Sequence, residues 1–297
     1  MANYQKQVKL LLEVLPFIAR EECFALHGGT AINLFVRNMP RLSVDIDLTY
    51  LPIEPRGQSL EKIGAALERV KREMERVLGV SVIHVVENCK LFVSSKIAQI
   101  KVEVNPVSRG LIGEVSKMIL CAQAQEQFNV FSAMNVVPMG QLYGGKICAA
   151  LSRQHPRDLF DVKYLLGHEG FTDEIKAGFI YGLLSSPSPM HELINPNLHD
   201  QRKTMESQFT GMSNEAFSYE EFEATRMELL NTVSMALTAE DKEFLLSIKG
   251  LKPNWSRYQF QDFPAIRWKI QNLETLRVDN PKKYQQQYDE LSFKLGV

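Results

Sequence analysis

The residues best suited to chemistry lie early in the chain. They are a glycine pair with a hydroxyl, Gly28-Gly29-Thr30, and, after fourteen intervening residues, two carboxylates in Asp45-Ile46-Asp47. A Gly-Gly turn feeding a helix N-terminus lets backbone N–H groups approach an anion with no Cβ in the way, and the helix dipole favours negative charge there. Carboxylates at i and i+2 of a strand point to one face. At that separation they repel unless a cation lies between them, and hard oxygen ligands of this kind suit Mg2+ held jointly with substrate phosphates. A phosphate cradle beside a divalent-cation site is the equipment of phosphoryl or nucleotidyl transfer. Each feature alone is ordinary, since a lone Gly-Gly is usually a turn and a lone Asp-x-Asp is usually solvated. Two aspartates in an otherwise apolar ladder need a reason, because Asp is depleted in strands. In Lys101-Val102-Glu103-Val104-Asn105, alternation puts Glu103 on a polar face, where it is either a third metal ligand or a surface acid paired with Lys101.

The elements that must position these groups are readable from periodicity. Val8, Leu11, Leu12, Leu15 and Ile18 recur at helical spacing in residues 5–20. Residues 30–37 predict a helix with Thr30 near its N-cap. Residues 42–51 alternate, with Leu42, Val44, Ile46 and Leu48 on one face and Ser43, Asp45, Asp47 and Thr49 on the other, a half-buried strand. The clearest helix spans 59–78, with a stripe of Leu60, Ile63, Leu67, Val70, Met74 and Val77. Three β-rich runs follow at 80–86, 90–95 and 97–104. From about residue 140 the pattern turns helical: 141–153, 157–166 with Pro156 suited to a first turn, 219–235, and 239–249 started by Thr238 with Asp241 three residues on. Residues 185–199 read as a long loop. The expected fold class is α+β: a mixed sheet with flanking helices over residues 1–170, then a mostly helical domain over 171–297.

Composition narrows the classes. The chain has 297 residues, 45% hydrophobic and 23% charged, as in an ordinary globular protein with a real core. Its 34 basic and 35 acidic side chains give a net charge of −1, which excludes bulk electrostatic gripping of nucleic acid but not a local basic groove. Cys23, Cys89, Cys121 and Cys148 form no Cys-x-x-Cys pair, which argues against a zinc ribbon, a redox dithiol or a disulfide scaffold. No apolar run approaches the ~20 residues that span a bilayer. A cytoplasmic protein with no membrane partner is expected.

The segments His27-Gly28-Gly29-Thr30-Ala31-Ile32-Asn33-Leu34 and Arg41-Leu42-Ser43-Val44-Asp45-Ile46-Asp47-Leu48 resemble the first motif of the DNA polymerase beta-like nucleotidyltransferases. Within that superfamily the chain is similar to the AbiEii/AbiGii toxins of type IV toxin–antitoxin and abortive-infection systems. The Glu103 strand resembles that family's third-carboxylate strand, Gly145-Lys146-Ile147-Cys148-Ala149-Ala150 its helical Lys-x-x-Ala motif, and Arg157-Asp158-Leu159-Phe160-Asp161 its Arg-Asp-x-x-Asp motif. The likeness continues through Pro264-Ala265-Ile266-Arg267-Trp268-Lys269 to Asn280-Pro281-Lys282-Lys283. Thr30 departs from the serine common in the superfamily and keeps the hydroxyl.

The resemblance implies that Lys146 and Asp158 are active-site residues. It also implies a nucleoside triphosphate substrate, a tRNA 3′ end or other RNA as acceptor, and a cognate antitoxin that opposes the toxin without an obligate complex. On this reading Asp45, Asp47 and Glu103 hold Mg2+; Gly28, Gly29 and Thr30 hold the triphosphate; Lys146 neutralises it; and Asp158 orients the nucleotide or Lys146. The residues alone leave plainer roles open. Lys146 is then a helix-surface lysine, with Gly144 and Gly145 admitting something close; Asp158 is a cap; and Arg157 and Asp161 pair at i, i+4. Trp255, Tyr258, Phe260, Phe263 and Trp268 interleave with Arg257, Arg267 and Lys269, either to stack on RNA or as a helical core. Two rival functions remain at this level, a small-molecule nucleotidyltransferase of the antibiotic-modifying kind and a nucleotide-binding protein without transfer activity.

Overall fold

A computed structural model describes residues 2–297. Packing divides the chain into two compact units, Met1–Pro138 with Phe209–Ala216, and Met139–Gln208 with Phe217–Val297.

The first unit is built on a seven-stranded mixed sheet. Its elements are α1 (Ala2–Ile18), β1 (Phe24–His27), α2 (Gly28–Ala31), β2 (Asp45–Tyr50), α3 (Arg56–Leu78), β3 (Ser81–Val85), β4 (Lys90–Ser94), β5 (Gln99–Val104), β6 (Ser116–Ile119), α4 (Ala122–Phe128) and β7 (Ala133–Val136). The strand order is β3-β4-β5-β2-β1-β7-β6. β2 lies at the centre, antiparallel to β1 and parallel to β5. The α1 stripe of Val8, Leu11, Leu12, Leu15 and Ile18 is wholly buried, each side chain contributing about 1.5–3 kcal/mol by leaving water. In α3 the expected stripe holds at Ile63, Leu67, Val70 and Met74. It fails at the ends, where Leu60 is half-buried and Val77 is exposed.

Two boundaries differ from the sequence reading. The helix expected over 30–37 starts at Gly28, with His27 as N-cap, and its second half, Ile32–Val36, is a π-helical turn. The strand expected over 42–51 begins only at Asp45. Upstream of it, Arg41–Val44 runs beside the returning segment 209–216: Leu42 N–H donates to the Met212 carbonyl at 2.7 Å, and Ser213 Oγ donates to the Pro40 carbonyl at 3.0 Å. Ser43 and Thr49, expected on the open face, are buried.

The second unit is helical: α5 (Met139–Arg153), α6 (Pro156–Gly167), α7 (Asp173–Ser185), α8 (Met190–Ile194), α9 (Arg202–Gln208), α10 (Tyr219–Ala236), α11 (Ala239–Lys249), α12 (Pro264–Asp279) and α13 (Pro281–Leu295). The segment read as a loop over 185–199 therefore contains a helical turn, α8. Pro156 occupies the first position of α6, and the Thr238–Asp241 capping box forms at the start of α11. α5 packs closely on α7. A Cβ on Gly144 would collide with the Gly178 backbone, and one on Gly178 with the Gly140 carbonyl. The close approach that the α5 glycines implied is thus made by another helix.

Candidate active site

The site in the first unit follows from strand register. β1 ends at His27 opposite Asp47 on β2, and Asp47 is in turn opposite Glu103 on β5, which is opposite Lys90 on β4. His27, Asp47, Glu103 and Lys90 thus form one row across four strands. In the next row Asp45 faces Lys101. Ile46 and Leu48 point into the core, which leaves Asp45 and Asp47 together on the opposite face.

The chain leaves the sheet at His27 directly into α2, so the glycine pair begins over this row. Gly28 has φ +70°, and a Cβ there would lie 2.6 Å from Asp47 Oδ2. A side chain is excluded by conformation and by contact at once. Gly29 is held more loosely on its other side, where a Cβ would lie 2.8 Å from Arg41 Nη2, the end of a flexible side chain, and 3.1 Å from Ser43 Oγ. The glycine doublet and Asp47 are therefore immediate neighbours. Thr30 is fully buried. Its hydroxyl donates to the Asp45 carbonyl at 2.5 Å and shares a hydrogen bond with Ser43 Oγ at 2.9 Å, so it ties the helix start to β2 and has only its backbone N–H to offer an anion. Asn33 Nδ2 donates to the Gly29 carbonyl at 2.9 Å, and His27 Nδ1 lies 3.2 Å from Thr49 Oγ1.

Glu103 meets two cations, Lys90 Nζ at 3.0 Å and Lys101 Nζ at 2.9 Å. Burial works against its charged form, but the two ammonium groups win and hold the carboxyl below the usual carboxylate range. Burial likewise opposes the Lys101 charge. Glu103, Asp45 and Asp47 outweigh it and raise Lys101 above its ordinary value. A cation at that spot thus feels three carboxylates together. Asp45 and Asp47 suit Mg2+ as a pair, since that ion takes one or two carboxylates and fills its shell with water and substrate phosphates. Glu103 is placed differently, with both oxygens on lysines. Among the described residues no three His, Cys, Asp or Glu side chains are grouped closely enough to hold a metal ion.

A second cluster of expected site residues lies in the helical unit. Lys146 on α5 is buried, with Nζ 2.9 Å from both Asp158 Oδ1 and Asp161 Oδ2 on α6. Asp158 also receives Arg153, Nε to Oδ2 at 2.5 Å and Nη2 to Oδ1 at 3.1 Å. Burial disfavours its charge, yet Lys146 and Arg153 hold it far below the usual carboxylate range. The capping of α6 falls to His155, whose Nδ1 accepts from Arg157 N–H, so Asp158 is free of that duty and bonded instead to the two cations. Lys146 is an interior lysine, not a surface one.

Sequence reasoning passed over Arg153 and Asp161 as partners of this cluster, and Arg41 as the guanidinium beside Gly29. A signal for the first two was present: Lys146 and Arg153 are seven residues apart on one helix face, as are Asp158 and Asp161 at three. Of the aromatic run, Phe260 and Phe263 are core, Tyr258 packs on Phe244, and Trp268 is exposed.

The family described as nucleotidyl transferase AbiEii toxin, type IV TA system, matches residues 9–272. Among solved structures the fold is similar to that of MenT4, a nucleotidyltransferase toxin from Mycobacterium tuberculosis H37Rv, with a TM-score of 0.63 at 12% identity over 92% of this chain and 93% of that one. None of the curated proteins matches the chain.

Proposed function

The chain belongs to the AbiEii family of nucleotidyltransferase toxins of type IV toxin–antitoxin systems, and from that premise we propose a Mg2+-dependent transfer of a nucleoside monophosphate from a nucleoside triphosphate to the 3′ end of an RNA, tRNA above all. Enzymes of this chemistry generally work with a divalent metal. The observation that carries the reading is the seating of the Gly28 turn against Asp47, with Asp45 on the same sheet face. In our reading Asp45 and Asp47 hold the cation, which when bound supplies charge stabilisation to the reacting phosphate. Glu103 joins them as third ligand by exchanging a lysine ammonium for the cation, since Lys101 already resides in the field of all three acids.

The backbone N–H groups of Gly28, Gly29 and Thr30 receive the triphosphate. Lys146 and Asp158 support transfer from within the helical unit, where Asp158 fixes the Lys146 ammonium. In this functional sense the catalytic portion is residues 1–170, which contains every residue assigned a role, and 171–297 is an accessory helical portion. An antitoxin opposes the enzyme without a lasting complex, and the setting is the cytoplasm. Among the described residues no helix is long and apolar enough to cross a membrane.

The test is transfer of α-labelled nucleotide to total cellular RNA or to a small-molecule fraction, with and without Mg2+. Label on RNA that disappears in Asp47→Ala and on chelation is the expected result. Label confined to a small molecule would identify an antibiotic-modifying type of enzyme. Nucleotide binding with no transfer in any fraction would identify a binding protein.

A further inference from the structure

A cavity of about 150 Å3 lies within the helical unit, between the loop after α7 and helices α8, α11, α12 and α13. An engineered cavity of that size admits a benzene ring. Its wall holds two buried lysines, Lys249 at 3% and Lys269 at 7% exposure, and at its rim stands Trp268 at 41%. Lys249 Nζ donates to Gln287 Oε1 at 2.8 Å and lies 5.0 Å from the Tyr284 ring. Lys269 Nζ donates to the carbonyls of Ser186 and Ser188 at 2.7 and 2.8 Å. An ammonium has three donors, so two remain on Lys249 and one on Lys269. Among the described residues no carboxylate lies within ion-pair distance of either.

The nearby acids are engaged or peripheral: Glu290 holds His191 Nε2 at 2.8 Å, and Glu192 reaches the same nitrogen only at 3.9 Å. A third ammonium, Lys294, bonds the His191 and Asn195 carbonyls. Buried charges are ordinarily paired, and an unpaired one costs stability. Burial alone pulls Lys249 down to about 8, and burial together with the like charge of Lys249 does the same to Lys269, only partly offset by Cys148 and Glu192. Two cations with spare donors and no carboxylate at ion-pair distance, facing one cavity with an exposed indole at its mouth, match an anion joined to a flat ring.

We propose that this cavity is a second ligand site, separate from the Asp45–Asp47 centre, for the phosphate group of a nucleotide, either free or as one unit of an RNA strand. Lys249 and Lys269 bind the phosphate and Trp268 stacks on the base. The site accounts for why Trp268 is exposed while the neighbouring aromatics are spent on packing.

The chain has two tryptophans, so Trp255→Phe leaves Trp268 as the sole indole reporter. That protein, intact and with metal chelated, is titrated with AMP, inorganic phosphate, adenosine and a short single-stranded RNA while Trp268 fluorescence is read. AMP is expected to give a saturable change, phosphate to compete with it, and adenosine to bind at least tenfold more weakly. Lys269→Gln and Lys249→Gln each weaken AMP about tenfold, with melting temperature read on the same samples to show that each variant is folded. RNA binding more tightly than AMP identifies the strand as the source of the phosphate; AMP binding as tightly or better identifies the free nucleotide. The proposal is overturned if the Trp255→Phe protein gives no saturable response, if adenosine equals AMP, if the folded lysine variants bind AMP unchanged, or if Asp47→Ala abolishes the response. This last result would place the signal at the other centre. The outcome does not depend on whether transfer activity is found.

Discussion

At the scale of single residues, the acidic pair and the glycine doublet were legible because their chemistry is local: residue type, i to i+2 spacing and a turn. What the sequence could not show was what each carboxylate touches. Glu103 reads equally as ligand or as ion-pair partner, and strand register is what sets it beside Asp47 with Lys90 and Lys101 upon it. Gly28 gives the sharpest test. Gly28→Ala puts a Cβ into the Asp47 carboxylate and forces a left-handed φ on a residue with a side chain. About 1–2 kcal/mol of stability is expected to go, with a larger proportional loss of transfer, a hundredfold or more, as Asp47 is pushed aside. Gly64→Ala, in α3 with nothing near its Cβ, is the control and should stabilise by about 1 kcal/mol; urea unfolding and transfer rates measured side by side distinguish the two.

Asp158 makes a prediction with a definite sign. Its carboxyl is held far below the usual range by Lys146 and Arg153 against the pull of burial. The folded state therefore binds fewer protons than the unfolded one as pH falls through the ordinary carboxylate range. The stabilisation is fully present above the unfolded value of about 4 and is lost only as pH falls toward the depressed folded value. Asp158→Asn should cost about 3 kcal/mol at neutral pH, and the gap from wild type should close only in strong acid. Denaturant unfolding at a series of pH values checks it; a gap independent of pH would show that the Asp158 charge contributes nothing.

At the scale of elements, strong periodicity was a sound guide and its absence concealed structure. α1, α3, α5, α6, α10 and α11 were readable from their stripes and caps. α7 was not, because buried residues surround it and no polar face marks a period. β6 and β7 have four residues each, too few for alternation to stand out. The same burial that hid α7 explains its glycines. Gly178 and Gly182 on α7 meet Gly140, Gly144 and Cys148 on α5, so the two helices touch at backbone distance. Gly178→Ala must drive them apart and is expected to cost about 3 kcal/mol or more, against a gain of about 1 kcal/mol for the same change in an unobstructed helix. Because α5 carries Lys146, transfer should fall along with stability, read by melting temperature and rate on the same samples.

At the scale of the whole molecule, the division of the chain is discontinuous, and periodicity, being local, has no means of announcing that a segment returns to an earlier unit. Residues 209–216 rejoin the sheet unit after an excursion through α5–α9. The return is bonded at Leu42–Met212 and Pro40–Ser213 and buries Phe209 and Met212, on the very stretch that leads into Asp45. A fragment ending at Pro138 loses those two apolar side chains, about 3–5 kcal/mol of burial, and leaves the Leu42 N–H of the approach to β2 without its partner. A fragment in which residues 209–216 are reattached after Pro138 by a flexible Gly/Ser linker recovers them at a loop-closure cost that grows only slowly with linker length. The reattached form is expected to unfold at higher denaturant with an unchanged or larger slope, and to bind nucleotide more tightly than the short one, since Ser43 anchors the Thr30 hydroxyl that holds the glycine turn. Equal midpoints for the two would mean that the returning segment rides on the sheet unit without supporting the approach to its carboxylates.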